Sequence, residues 1–116
     1  MFLAYILAIA ELVVKPTDRE SLVDELTYFN CSTSVVSQAI QWFHFPLGVS
    51  GDREIVYGYN QFYGIYKDRF AIEVNEAAGT YNLVIRSVQV QDAGRYECQD
   101  DVGRGAKASA RLIVLG

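Results

Sequence analysis

Histidine and tryptophan occur once each in this sequence, and proline and cysteine only twice each. Each scarcity removes a class of chemistry. His44 cannot complete a zinc site with two cysteines standing 67 positions apart, because such a site needs more ligands than these supply. The same spacing is unlike the C-x-x-C of thiol redox motifs. There is no basic stripe, and net charge is −4, which argues against nucleic acid and anionic membranes as partners. The one long apolar run, residues 1–10 (MFLAYILAIA), is too short to span a bilayer. No stretch carries a helical period.

What remains is a strand-former's composition. Apolar residues make up 51 % of the 116 positions and charged residues 21 %, which excludes disorder and leaves room for one domain with one core. Phe, Tyr, Trp, Val and Ile favour strands over helices. The predicted strands cover 11–15 (stopped by Pro16), 21–23, 26–32, 39–45, 54–59, 68–75, 81–86, 94–98 and a final run after 105. Phe70, Ile72 and Val74 alternate, as do Ala108, Ala110, Leu112 and Val114. Residues 1–10 read as an apolar lead-in; Ala8-Ile9-Ala10 has the small-x-small form of a signal-peptidase site, without a basic region before it.

Four separated features then agree: Cys31, Trp42, the apolar return 81–85, and the run D-A-G-R-Y-E-C at 92–98. A cysteine, a tryptophan and a tyrosine two residues before a second cysteine resemble the immunoglobulin superfamily. The resemblance covers nearly the whole of 11–114. It implies an all-β, two-sheet antiparallel sandwich of Greek-key topology, with a Cys31–Cys98 disulfide behind Trp42 and Tyr96 as the corner tyrosine. In V-type members an arginine pairs with the aspartate of the D-x-G-x-Y-x-C turn, and Arg69 and Asp92 stand at those positions. Trp42 and Arg69 stand 27 positions apart, enough for a C′ strand and a C″ edge, as in the variable-type frame. Gly103-Arg104-Gly105 resembles the G-x-G of J-encoded strands, but Val102 replaces the aromatic before it. Gly105 and the Ala-rich strand after it also resemble the I-set ending of adhesion receptors. A disulfide implies an oxidising, extracellular setting; the alternative is a reduced buried pair in a cytosolic module.

Catalysis finds little support. His44 faces inward by alternation from Trp42, so it reads as a packed strand histidine rather than a general base. No pattern asks for a cofactor or metal. The acidic pairs Asp24-Glu25 and Asp100-Asp101 read as solvated turns, with a weak calcium site as the sharper alternative. Asn30-Cys31-Ser32 satisfies the N-glycosylation sequon formally, making Asn30 a candidate acceptor, though a poor one with cysteine in the middle.

Recognition is better supported. With Trp42 pointing in, Phe43 and Phe45 point out on the front sheet of C, C′, F and G strands. With Val56 inward, Ile55 and Tyr57 join them. Such a patch exceeds what a soluble monomer normally exposes, and burying the two phenylalanines contributes roughly 3–6 kcal/mol of gross hydrophobic free energy. The alternative is that a loop or the N-terminal segment covers it. Tyr57, Tyr59, Phe62, Tyr63 and Tyr66 crowd the next stretch, in the composition of a binding surface, or as edge tyrosines packing on their own sheet. The expected protein is therefore a cell-surface recognition or adhesion domain. It pairs with protein partners, including a homodimer through the front sheet, and reaches the membrane only through an anchor elsewhere in a parent chain. The alternatives are an antigen-receptor-like domain binding through loops 32–37, 60–66 and 100–105, and a structural module of an intracellular or matrix protein.

Overall fold

A computed structural model describes residues 11–34, 40–48, 51–100 and 106–116. The lead-in 1–10, the G-x-G at 103–105 and most of the loops 32–37 and 100–105 lie outside the described residues. Among the described residues, eleven strands form two packed sheets. The first sheet contains β1 (Leu12–Val14), β4 (Ser32–Thr33), β9 (Thr80–Ile85) and β3 (Thr27–Phe29), in that order, with β8 (Phe70–Asn75) also pairing β9. The second runs β2 (Arg19–Leu22), β11 (Lys107–Leu115), β10 (Gly94–Asp100), β5 (Ile40–Pro46), β6 (Glu54–Gly58) and β7 (Gln61–Phe62). This is an immunoglobulin sandwich, with β6 and β7 as the extra strands of the variable frame.

One expected break coincides with a change of sheet, and one expected strand is divided in two. Between β1 and β2 the chain leaves the first sheet for the second, and the buried Pro16 stands at that crossing. Proline has no N–H to give a ladder, so a change of sheet is a place where it costs little. β2 then pairs parallel with β11, an exception in an otherwise antiparallel frame. The predicted strand 26–32 is interrupted between β3 and β4, where the Cys31 amide donates to the Asn82 side chain at 3.0 Å.

The core is built by alternation. Phe29, Ile40, Trp42, Val56, Leu83, Ile85, Val88 and Tyr96 are fully buried between the sheets, around the Cys31–Cys98 disulfide. The Trp42 indole N–H donates to the Tyr81 carbonyl across the sandwich at 3.0 Å, so its single polar atom is satisfied. At one end, the Tyr96 hydroxyl donates to the Asp92 carbonyl at 2.6 Å. The Asp92 carboxylate takes both Arg69 Nη atoms, at 2.6 and 2.8 Å, and the Gln89 amide at 2.8 Å. Gly94 has φ +133°, and a Cβ there would collide with the Phe45 carbonyl; only glycine fits the turn.

One irregularity changes the reading of the site. Trp42 pairs with Tyr57, but Phe43 pairs with Ile55. Val56 is thus an extra residue, a β-bulge, and beyond it the faces exchange. Simple alternation points Tyr57 outward with Phe43. The bulge instead turns it into the core, 4 % exposed, with its ring 5.0 Å from Phe62.

Candidate functional site

The outer face of the second sheet is organised as three cross-strand rows. Phe45 pairs with Arg95 and Arg95 with Arg111. Ile55 pairs with Phe43, Phe43 with Glu97 and Glu97 with Ser109. Gln41 pairs with Gln99 and Gln99 with Lys107. Residues paired across strands share a face, so all of these side chains look away from the core.

The two phenylalanines are not bare. The Arg53 guanidinium lies 3.7 Å from the centroid of Phe43, and the Arg95 guanidinium 3.7 Å from that of Phe45. Phe43 is consequently only 7 % exposed, and Phe45 is half-buried. Cation–π stacking by neighbouring arginines covers them. The caps are tied together. Arg53 donates to Glu97 at 3.2 Å and Gln99 at 3.1 Å, Gln99 donates to Gln41 at 3.3 Å, and Arg95 lies 3.6 Å from Glu97. Flat aromatic rings therefore sit under a bonded layer of planar polar groups, in a geometry fixed before any partner arrives. Such a face is suited to docking another protein surface, since its side chains need little ordering on binding.

Comparison with known proteins agrees with the fold. A family model of the immunoglobulin V-set domain matches residues 24–115. The chain belongs to that family. Kin of IRRE-like protein 2 of Mus musculus is 27 % identical over 101 residues, which is 87 % of this chain. Lachesin of Schistocerca americana is 40 % identical over 48 residues, 41 % of this chain. The chain spans only 13 % and 14 % of those two proteins. A solved structure described as the RIG-5 IG1 homodimer superposes with a TM-score of 0.78 at 15 % identity, covering 94 % of this chain and all of that one. At that identity the likeness is one of fold.

The other residues singled out in the sequence are scattered over this V-set domain. Tyr59 is 64 % exposed at the tip of the β6–β7 hairpin, where it and Asn60 both have positive φ, 52° and 63°. Tyr63 bonds within that hairpin, to Gln61 and the Gly58 carbonyl, and Tyr66 is buried. Most of the aromatic cluster therefore packs into or against the core, with Tyr57 and Tyr66 inside it and Phe62 beside it. Asn30 is half-buried and lines a shallow groove on the first sheet with Leu26, Tyr28, Glu73, Asn82 and Val84. Asp24 accepts from the Ser87 hydroxyl and Gln89, and Glu25 from the Leu22 amide, so both carboxylates serve their turn.

His44 is held inside. Its ring stacks on Tyr96 at 4.2 Å; Nε2 lies 3.0 Å from the Ala93 carbonyl and Nδ1 2.8 Å from the Tyr66 hydroxyl. That hydroxyl also bonds the Glu54 carboxylate. Burial pushes the His44 pKa below the usual imidazole value, against the opposing pull of the Ala93 carbonyl, Glu54 and Asp92. The unfolded chain binds the imidazole proton near pH 6.5 while the folded one resists it. Stability from this group is complete above that pH and is lost as pH falls through it. Between about pH 7 and pH 5 the wild type should lose stability through His44. His44→Gln should be less stable at pH 7 but show a flatter urea-midpoint profile across that window. Parallel profiles would show that His44 does not set the slope.

Proposed function

We propose that this chain is the recognition domain of a larger cell-surface receptor or adhesion protein. It binds protein partners outside the cell, a second copy among them, through the outer face of the second sheet. The observation that carries this reading is the row Ile55–Phe43 with Phe45 beside it, three large apolar side chains on the outer side of a sheet. A fold alone needs no aromatic there; an interface does, because aromatics with arginine neighbours form the centres of protein contacts. The named relatives and the homodimeric fold neighbour support the reading. The disulfide supports an extracellular setting.

Light scattering with sedimentation at tens of micromolar tests it. The wild type should self-associate, and Phe45→Ala should raise the dissociation constant about thirtyfold, near 2 kcal/mol for a central aromatic, while its thermal midpoint stays close to wild type. A wild type that is monomeric throughout, or a Phe45→Ala protein that associates equally well, overturns self-recognition through this face.

A further inference from the structure

The outer face carries charge of the opposite sign to the chain as a whole. Arg53, Arg95, Lys107 and Arg111 stand on or over it against two carboxylates, Glu97 and the Glu20 paired with Ile113 on β2, with Asp18 at its edge accepting from the Arg111 amide at 2.8 Å. The paired rows thus carry a net of two positive charges in a chain whose net charge is −4. Glu97 is already shared between Arg53 and Arg95 and has little left to offer a partner's cation. Lys107 and Arg111 are exposed and make no ion pair among the described residues. Arg95 stands directly opposite Arg111 on the neighbouring strand, a like-charge placement that costs stability in the isolated sheet. Such a break with local preference is characteristic of a surface shaped for binding.

Two copies set face to face would bring these charges within a Debye length of one another, about 8 Å at physiological salt. A second copy is thus electrostatically a poor match, whatever its shape. Resting on the reading that this face is the docking surface, we propose that its fitting partner is the acidic face of a different protein, and that self-association is the weaker mode. The stacked guanidinium of Arg95 keeps N–H donors for carboxylates in the fork geometry that arginine favours. The partly exposed Ile55 and Phe45 favour a protein over a flexible polyanion, since what the arginines leave uncovered there needs an apolar counterpart.

A copy of this domain with the face reversed provides a partner of matched shape. Arg95→Glu/Lys107→Glu/Arg111→Glu turns the paired rows from net positive to net negative. Mixed with wild type at 50 mM salt, it should form a heterodimer at least tenfold tighter than either homodimer. That heterodimer should weaken steeply by 300 mM salt, while the wild-type homodimer tightens. Should the triple variant unfold, Lys107→Glu/Arg111→Glu, which changes two exposed side chains only, should show the same order with a smaller margin. A mixed species no tighter than the wild-type homodimer, or a homodimer that weakens with salt, overturns the acidic partner. So does retention of wild type on heparin above 300 mM salt, which would favour a polyanion. Phe45→Ala in both proteins separates the two ideas: if the heterodimer forms but ignores that change, the contact lies elsewhere, and the docking face itself is wrong.

Discussion

Arg69→Ala should destabilise the domain by about 3–5 kcal/mol, the range for removing one partner of a buried ion pair. In a domain with about 5–15 kcal/mol in total this is a large share of the whole. The size follows from an asymmetry in burial. The Asp92 side chain is 1 % exposed, whereas that of Arg69 is 23 % exposed. Without Arg69 the carboxylate keeps the Gln89 amide but loses both guanidinium bonds. Arg69 also donates to the Arg86 and Ser87 carbonyls at 3.4 and 3.1 Å, so the turn entering the Asp92 segment loosens too. Removing the carboxylate as well relieves the stranded charge; Arg69→Ala/Asp92→Ala should recover about 1–2 kcal/mol of the single-variant loss. Arg69→Lys should fall between, because a single ammonium cannot reproduce two parallel bonds. Urea unfolding with an unchanged m-value is the measurement. A loss under 1 kcal/mol for Arg69→Ala would mean that Asp92 is solvated in solution.

The parts legible in the sequence are those where one residue type has one structural use. The Cys31–Trp42–Tyr96–Cys98 set and the Arg69–Asp92 pair name the frame because each needs a particular partner at a fixed place. Alternation in β11, with Ala110 and Leu112 buried between exposed Ser109, Arg111 and Ile113, needs only a two-residue period. Tyr57 was beyond that period, since a single bulge residue, Val56, reverses the face and leaves no mark in composition. The capping of Phe43 was hidden for a different reason. Arg53 precedes its strand, and only the reach of a long side chain brings it over a ring on β5. Charge shows the same limit: a net of −4 describes the whole chain, while a cationic face emerges only when strands distant in sequence are set side by side.

Removing the disulfide should cost about as much as removing Arg69, by a different route. Cys31→Ala/Cys98→Ala should lower stability by about 4 kcal/mol, because the bond closes a loop of 67 positions and restrains the unfolded chain. The folded state contributes as well. Both cysteines are wholly buried next to Trp42 and Phe29, and truncation to alanine leaves space that these rings fill incompletely. The loss should appear as a lower urea midpoint with a larger m-value, since an uncrosslinked chain exposes more surface. The outer face should respond less than the core. Phe43, Phe45, Arg53 and Glu97 are positioned by ladder pairing between β5, β6 and β10 and by one another, not by the sulfurs. The variant, kept well below its unfolding midpoint, should therefore bind the charge-reversed partner within about threefold of the intact domain, under half a log unit in affinity. Equal losses of stability and binding would show instead that the face is held flat from beneath, through Cys98 and the Trp42 ring.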